Sequence, residues 1–188
     1  IALSALSQLE ILVRMSATHL FLLHPTGQIV SVPAPTGGLH AVSASLPEGI
    51  YTTFRTYPGL RVVGLTAHLE RLRDSHRLLN DNRPIELAQI RQGVLQCLTQ
   101  IGLTEAKVRI TTPLHSPLVY INIEPLTPWP EENYQQGVVC ETTLLPRPTP
   151  KAKTTAFIAP SRAEKALQDP TIHELIRFDA SGYLLEGL

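Results

Sequence analysis

Glu48-Gly49-Ile50-Tyr51-Thr52-Thr53-Phe54-Arg55-Thr56-Tyr57, followed shortly by Thr66-Ala67-His68-Leu69-Glu70-Arg71-Leu72, is a strand pattern running into a helix pattern. Ile50 to Tyr57 is rich in β-branched and aromatic residues, which suit a pleated, half-buried surface. Pro58-Gly59 reads as a turn, and Leu60 to Gly64 is expected to return as the second strand of a hairpin. Thr66 then offers a helix N-cap, and Leu69, Leu72, His76 and Leu79 fall on one face at helical spacing.

Similar patterns extend in both directions. Leu20 to Leu23 and Ile29 to Val32 flank Pro25-Thr26-Gly27 as another hairpin. Pro84 suits the first turn of a second helix, whose buried stripe of Leu87, Ile90, Val94 and Cys97/Leu98 ends at Gly102. Lys107 to Thr112 and Leu118 to Ile123 are strands around a loop with Pro113 and Pro117. Helices and strands intermix, so the chain is expected to be α+β (mixed α/β).

Pro125, Pro128 and Pro130 have the composition of a linker. The expected organisation is an N-terminal extension at 1–18, a small α/β domain at 19–126, a linker at 127–135 and the start of a second domain at 136–188. Met15, the single methionine, suits a natural start. Beyond the linker come a strand (Gly137 to Leu145), prolines 146, 148 and 150, and a helix around Phe157 to Leu167. A last hairpin pairs His173 to Phe178 with Tyr183 to Glu186 through Asp179-Ala180-Ser181-Gly182. That hairpin has nothing to pack on, so the second domain is expected to be incomplete.

The 188 residues are 43% hydrophobic and 17% charged, with 16 basic and 16 acidic side chains. That balance leaves no basic footprint for nucleic acid or for an anionic membrane surface. No apolar run approaches the roughly 18 residues of a membrane span. Cys97 and Cys140 stand far apart without metal-ligand spacing, which suits a reduced, cytoplasmic protein with neither disulfide nor metal site.

Three features could carry chemistry. Only four lysines occur, and two stand together in Pro150-Lys151-Ala152-Lys153-Thr154-Thr155-Ala156-Phe157-Ile158, where an extended segment meets a helix. In a cleft, burial disfavours the ammonium, and the neutral amine is the form that makes a Schiff base. Arg71 lies beside the apolar stripe of its helix, and its guanidinium suits a phosphate. Glu186 ends an apolar strand, where a buried carboxylate needs a partner such as a protonated ring nitrogen. Each has a plainer reading: surface lysines, an arginine paired with Glu70 or Asp74, a solvated strand-end glutamate. His68 by itself reads as a helix-face or capping histidine.

Together these segments resemble the signature of the class IV (fold-type IV) aminotransferases, a family that includes branched-chain and D-amino-acid aminotransferases and aminodeoxychorismate lyases. Glu48 to Tyr57, then His68-Leu69-Glu70-Arg71-Leu72 and Ser75, looks like the family's N-terminal signature. Lys153-Thr154-Thr155 with Phe157 looks like its cofactor-lysine segment, and Glu186-Gly187, 33 residues after Lys153, like its Glu-Gly motif. The resemblance runs from about His19 to Leu188.

It implies a two-domain fold, with a small N-terminal α/β domain and a larger β-barrel-like C-terminal domain present only in part. It implies the cofactor pyridoxal 5'-phosphate (PLP), amino-acid and 2-oxo-acid substrates and a homodimer. By the same resemblance Lys153 would carry the cofactor as a Schiff base and move the proton between the substrate Cα and the cofactor. Arg71 would hold the phosphate, Glu186 would pair with the pyridine nitrogen and Tyr51 would line the substrate pocket. Arg109 is a candidate for the substrate carboxylate or, equally, an outward strand residue, and Arg55 is a weaker one. Lys151 competes with Lys153, since residues two apart on an extended segment share a side. Lys153 is preferred because a small polar pair and an apolar helix start follow it. The implied activity is transamination of a branched-chain or similar amino acid. A lyase of the aminodeoxychorismate type and a non-catalytic or truncated relative are the alternatives.

Overall fold

The structure is a computed structural model that describes residues 17–147 and 149–188. The expected N-terminal extension, apart from Ala17 and Thr18, lies outside the described residues, as do Met15 and Pro148.

The first sheet contains β1 (His19–Leu23), β2 (Ile29–Val32), β3 (Gly49–Arg55), β4 (Ala106–Pro113) and β5 (Val119–Pro125), in the order β2-β1-β5-β4-β3. All its pairings are antiparallel. Alternation gives the sheet two different faces. Val108 and Ile110 of β4, with Ile121 and Ile123 of β5, are fully buried against Leu69, Leu72, Ile90, Val94 and Leu98. Those partners come from α2 (Leu65–Leu78) and α3 (Leu87–Ile101). Burying Leu69 and Leu72 stabilises α2 by roughly 2 kcal/mol each, which anchors Arg71 between them. The opposite face carries Tyr51, Thr53, Arg109 and Asn122 and is covered by α1 (Gly38–Ser45).

The hairpin expected at Leu60 to Gly64 does not form. Tyr57 and Arg61 exchange two hydrogen bonds, of 2.9 and 3.2 Å, as an isolated bridge, and Leu60 takes φ 56°. Val63 is 75% exposed, so the returning segment has no apolar face to bury. β3 pairs instead with β4, from Gly49 opposite Pro113 to Arg55 opposite Lys107. Gly49 is required there: a Cβ would run into the Thr112 carbonyl oxygen and come within 2.7 Å of the Pro113 Cα.

Other boundaries differ too. Gly64, at φ 66°, caps α2 without a side-chain hydrogen bond, in place of Thr66. α3 begins at Leu87, and Pro84 lies in the irregular segment before it. α1 falls in a stretch with weak helical patterning and no side-chain cap, and a short α4 (Glu131–Gln136) overlaps the end of the expected linker.

The second sheet has the order β6-β7-β8, with β6 (Cys140–Thr143) parallel to β7 (Glu174–Phe178) and β7 antiparallel to β8 (Leu184–Gly187). The parallel crossover runs through a 3-10 turn, Thr155–Phe157, and α5 (Ile158–Ala166), because parallel strands need a long connection. Asp179 closes the β7–β8 turn, its Oδ1 accepting from the N–H groups of Ser181 and Tyr183. Among the described residues, no helix is long and apolar enough to cross a membrane.

Candidate active site

β3 is an edge strand, and its free edge is taken up by the lysine segment. The Tyr51 N–H donates to the Lys153 carbonyl at 2.9 Å. Gly49 N–H donates to Thr155 Oγ1 at 2.9 Å, and Ile50 and Thr154 form a bridge. Ser75, on α2, adds a 3.4 Å contact from the Lys153 N–H to its Oγ. The segment before Lys153 is a turn, with Ala152 N–H donating to Thr149 O at 3.1 Å, so extended alternation does not apply to the two lysines. Ala152 is fully buried between them. Lys151 is left exposed, whereas Lys153 is half-buried with its Nζ 5.2 Å from the Tyr51 ring centroid.

Burial, more than any charge, lowers the pKa of Lys153, and the Arg71 and Arg147 guanidiniums push the same way while Glu186 opposes them. A lysine so placed gives up its proton more readily than a solvated one. Burial likewise raises the Tyr51 phenol, with Arg109 opposing.

Tyr51, Arg109, Lys153 and Glu186 share one cleft of about 310 Å3, with His40 and Phe157 in its wall. Arg71 does not line that cleft. It stands on the α2 side of β3, donating from Nη2 to Thr52 Oγ1 at 3.0 Å, and no carboxylate among the described residues pairs with it. Lys153 therefore sits at the strand edge where the two faces of the sheet meet.

Arg109 is 6% exposed and points inward under α1. Its Nε donates to Thr53 Oγ1 at 3.0 Å and its Nη1 to Ser43 Oγ at 2.7 Å, while its guanidinium lies 4.9 Å from the Tyr51 ring centroid. Arg55 shares the face of Tyr51 but pairs with Glu105 at 3.3 Å, outside the cleft lining.

Glu186 meets two guanidiniums: Oε1 accepts from Arg147 Nη1 at 2.6 Å and from Arg177 Nη1 at 2.9 Å. Both arginines are buried and stack on Phe157, at 5.0 and 5.4 Å from its ring centroid. Sequence reasoning passed over both. The signal for Arg177 is a charged residue two positions after Leu175, on the inward side of β7. Oε2 of Glu186 makes no hydrogen bond to the described residues and can serve another donor.

A second cleft of about 200 Å3, lined by Pro25, Pro84, Ile85 and Val119 together with Arg83, Glu86 and Gln89, holds no lysine. The Lys153 cleft instead combines a lysine of lowered pKa, a buried arginine that no carboxylate among the described residues pairs with and a free carboxylate oxygen.

Known proteins give the same outline. The sequence model of class IV amino-transferases matches residues 49–188. No curated protein matches the chain. Among solved structures, a hypothetical aminotransferase from Mycobacterium tuberculosis in its PLP-bound form is 21% identical with a TM-score of 0.62, covering 89% of this chain and 65% of its own. Its alpha-ketoglutarate and PMP bound form is 21% identical with a TM-score of 0.64 and the same coverages. A branched-chain aminotransferase from Thermoproteus uzoniensis with norvaline is 19% identical with a TM-score of 0.68, covering 90% of this chain and 62% of its own. The chain thus spans less than two thirds of the length of these structures, and at such identities they speak for the fold. With most of its length inside the family match, this chain belongs to the class IV aminotransferases.

Proposed function

We propose that the protein is a PLP-dependent aminotransferase that moves an amino group between an amino acid and a 2-oxo acid, with Lys153 as the lysine that holds the cofactor. The carrying observation is Lys153 itself: tethered at the edge of β3, half-buried, with its pKa lowered by burial and beside three arginines. The other residues fit the cofactor. Arg71 is a cation without a carboxylate partner, as a phosphate anchor should be, and Glu186 keeps one oxygen free for a ring nitrogen. The bound cofactor supplies the electron sink for the substrate Cα.

Everything else falls to the chain. Lys153, as a neutral amine, would hold the cofactor by condensing with its aldehyde with loss of water and, once displaced by the substrate amine, would hold and return the proton at the substrate Cα. Arg109 has an Nη2 with no partner among the described residues and binds the substrate carboxylate, with the Tyr51 ring packed against it. The buried Arg147 and Arg177 keep Glu186 aimed at the cleft. Phe157 and Ile158 line an apolar part of the wall that suits a branched-chain or similar side chain. Norvaline in one similar structure, an apolar amino acid, and alpha-ketoglutarate in another, a 2-oxo acid, support an amino-acid and 2-oxo-acid pair.

The test is PLP titration followed by borohydride reduction and peptide mapping. PLP should raise a visible absorption band and reduction should label Lys153. If nothing is attached there, the proposal fails. A label that survives Lys153→Ala would move the role to Lys151. Turnover separates the two chemistries, because transamination needs an oxo-acid acceptor and a lyase of the aminodeoxychorismate type releases pyruvate without one.

A further inference from the structure

On the α2 face of β3, Arg71 is held by two neighbours rather than one. Its Nη2 lies 3.0 Å from Thr52 Oγ1 and 3.2 Å from His68 Nδ1. Thr52 Oγ1 and His68 Nδ1 are themselves 2.9 Å apart. A guanidinium has only donors, so both atoms accept from it. The Thr52 hydroxyl, accepting from Arg71, is placed to donate its single proton to His68 Nδ1, whose one lone pair then faces both neighbours. Acceptance by Nδ1 requires the neutral ring with its proton on Nε2. Burial, Arg71 and Lys153, in that order, all lower its pKa and so favour the same form. Phe54, with its ring centroid 5.4 Å from that of His68, limits the ring's freedom to turn. Thr52 is fully buried and fixed in β3, so the triangle ties Arg71 to the same strand that holds Lys153.

We propose that His68 is a positioning residue for Arg71, its Nδ1 and the Thr52 hydroxyl together aiming the guanidinium at the cofactor phosphate. A long side chain on an exposed helix face has many rotamers, and an acceptor pair on its inner side selects among them. His68 itself touches no reacting atom. The inference rests on Arg71 holding the phosphate, as argued under the proposed function.

The experiment compares PLP with pyridoxal, which lacks the phosphate, as probes of the purified protein. Affinity is read from the visible absorption and attachment from borohydride trapping at Lys153. Wild type should prefer PLP strongly. His68→Ala should lose roughly tenfold in PLP affinity, the scale of one hydrogen bond to a charged group, with pyridoxal affinity unchanged. Thr52→Val, nearly isosteric, should lose a similar factor, and His68→Asn, whose amide oxygen can replace Nδ1 as acceptor, should recover most of the preference. A generally weakened fold would reduce both probes together and would not be rescued by asparagine. The inference is overturned if the PLP-to-pyridoxal ratio stays within about twofold of wild type in both His68→Ala and Thr52→Val, or if His68→Asn is as weak as His68→Ala. A wild-type protein that does not prefer PLP over pyridoxal would instead overturn the phosphate reading of Arg71, and this inference with it.

Discussion

Asp81→Asn should cost stability in a manner that depends on pH. Asp81 is 5% exposed, and its Oδ2 accepts from His76 Nδ1 at 2.9 Å, Arg83 Nε at 3.2 Å and the His115 N–H at 3.0 Å. His76 donates from Nδ1, so its Nε2 is the acceptor for the Thr112 hydroxyl at 2.7 Å, and burial keeps the ring neutral. Burial alone would raise the Asp81 pKa, but the three donors win and lower it from 3.8 to about 2. A depressed carboxylate pKa contributes stability that is fully present above the unfolded value and lost as pH falls through the folded one. The shift corresponds to about 2 kcal/mol at pH 7, and roughly half of it should remain near pH 3. Asparagine can keep the oxygen but not the charge, so the gap in urea-unfolding free energy between wild type and Asp81→Asn should be about 2 kcal/mol at pH 7 and narrow steadily below pH 4. Far-UV circular dichroism in urea from pH 7 to 3 measures it. A gap under about 0.5 kcal/mol at pH 7, or one that does not narrow on acidification, refutes the reasoning.

Gly49→Ala should destabilise the protein by more than about 3 kcal/mol, since the added Cβ meets the β4 backbone and not a movable side chain, and thermal melting would show it. Arg109→Met should raise KM for the amino acid roughly tenfold or more while leaving PLP attachment at Lys153 intact, as steady-state kinetics and borohydride trapping would show. Loss of attachment would place Arg109 in the cofactor site instead. The Cys97 thiol is buried and pushed up to about 12, whereas Cys140 is exposed. Iodoacetamide on the native protein should therefore label Cys140 and spare Cys97 until denaturant is added, with mass spectrometry counting the adducts.

Much of the local structure was readable before folding was considered. The stripe of Leu69, Leu72 and His76 and that of Ile90, Val94 and Cys97/Leu98 show one buried face at helical spacing, and both helices are present. The Pro25-Thr26-Gly27 and Asp179 to Gly182 turns are similarly local, because glycine and a short carboxylate favour them in any context. The Leu60 to Gly64 hairpin failed because a nearby partner was assumed, and burial of Val108 and Ile110 made β4, far along the chain, the better one. α1 was missed because its fixing contacts, from Leu39 N–H to Glu124 and from Arg109 to Ser43, come from distant strands.

The sequence by itself determined which residue types were available and in what order: Tyr51, Arg71, Lys153 in preference to the neighbouring Lys151, and Glu186, an order that resembles one enzyme family. The tertiary structure gave the two lysines different surroundings, leaving Lys151 exposed and Lys153 half-buried, with Ala152 buried between them and a tether to the edge of β3. It also placed Arg71 on the opposite face from Tyr51, turned Arg109 inward and put two arginines on Glu186. The physical reason is that periodicity and turn chemistry act over a few residues, whereas burial and charge pairing depend on which distant segments share a strand edge.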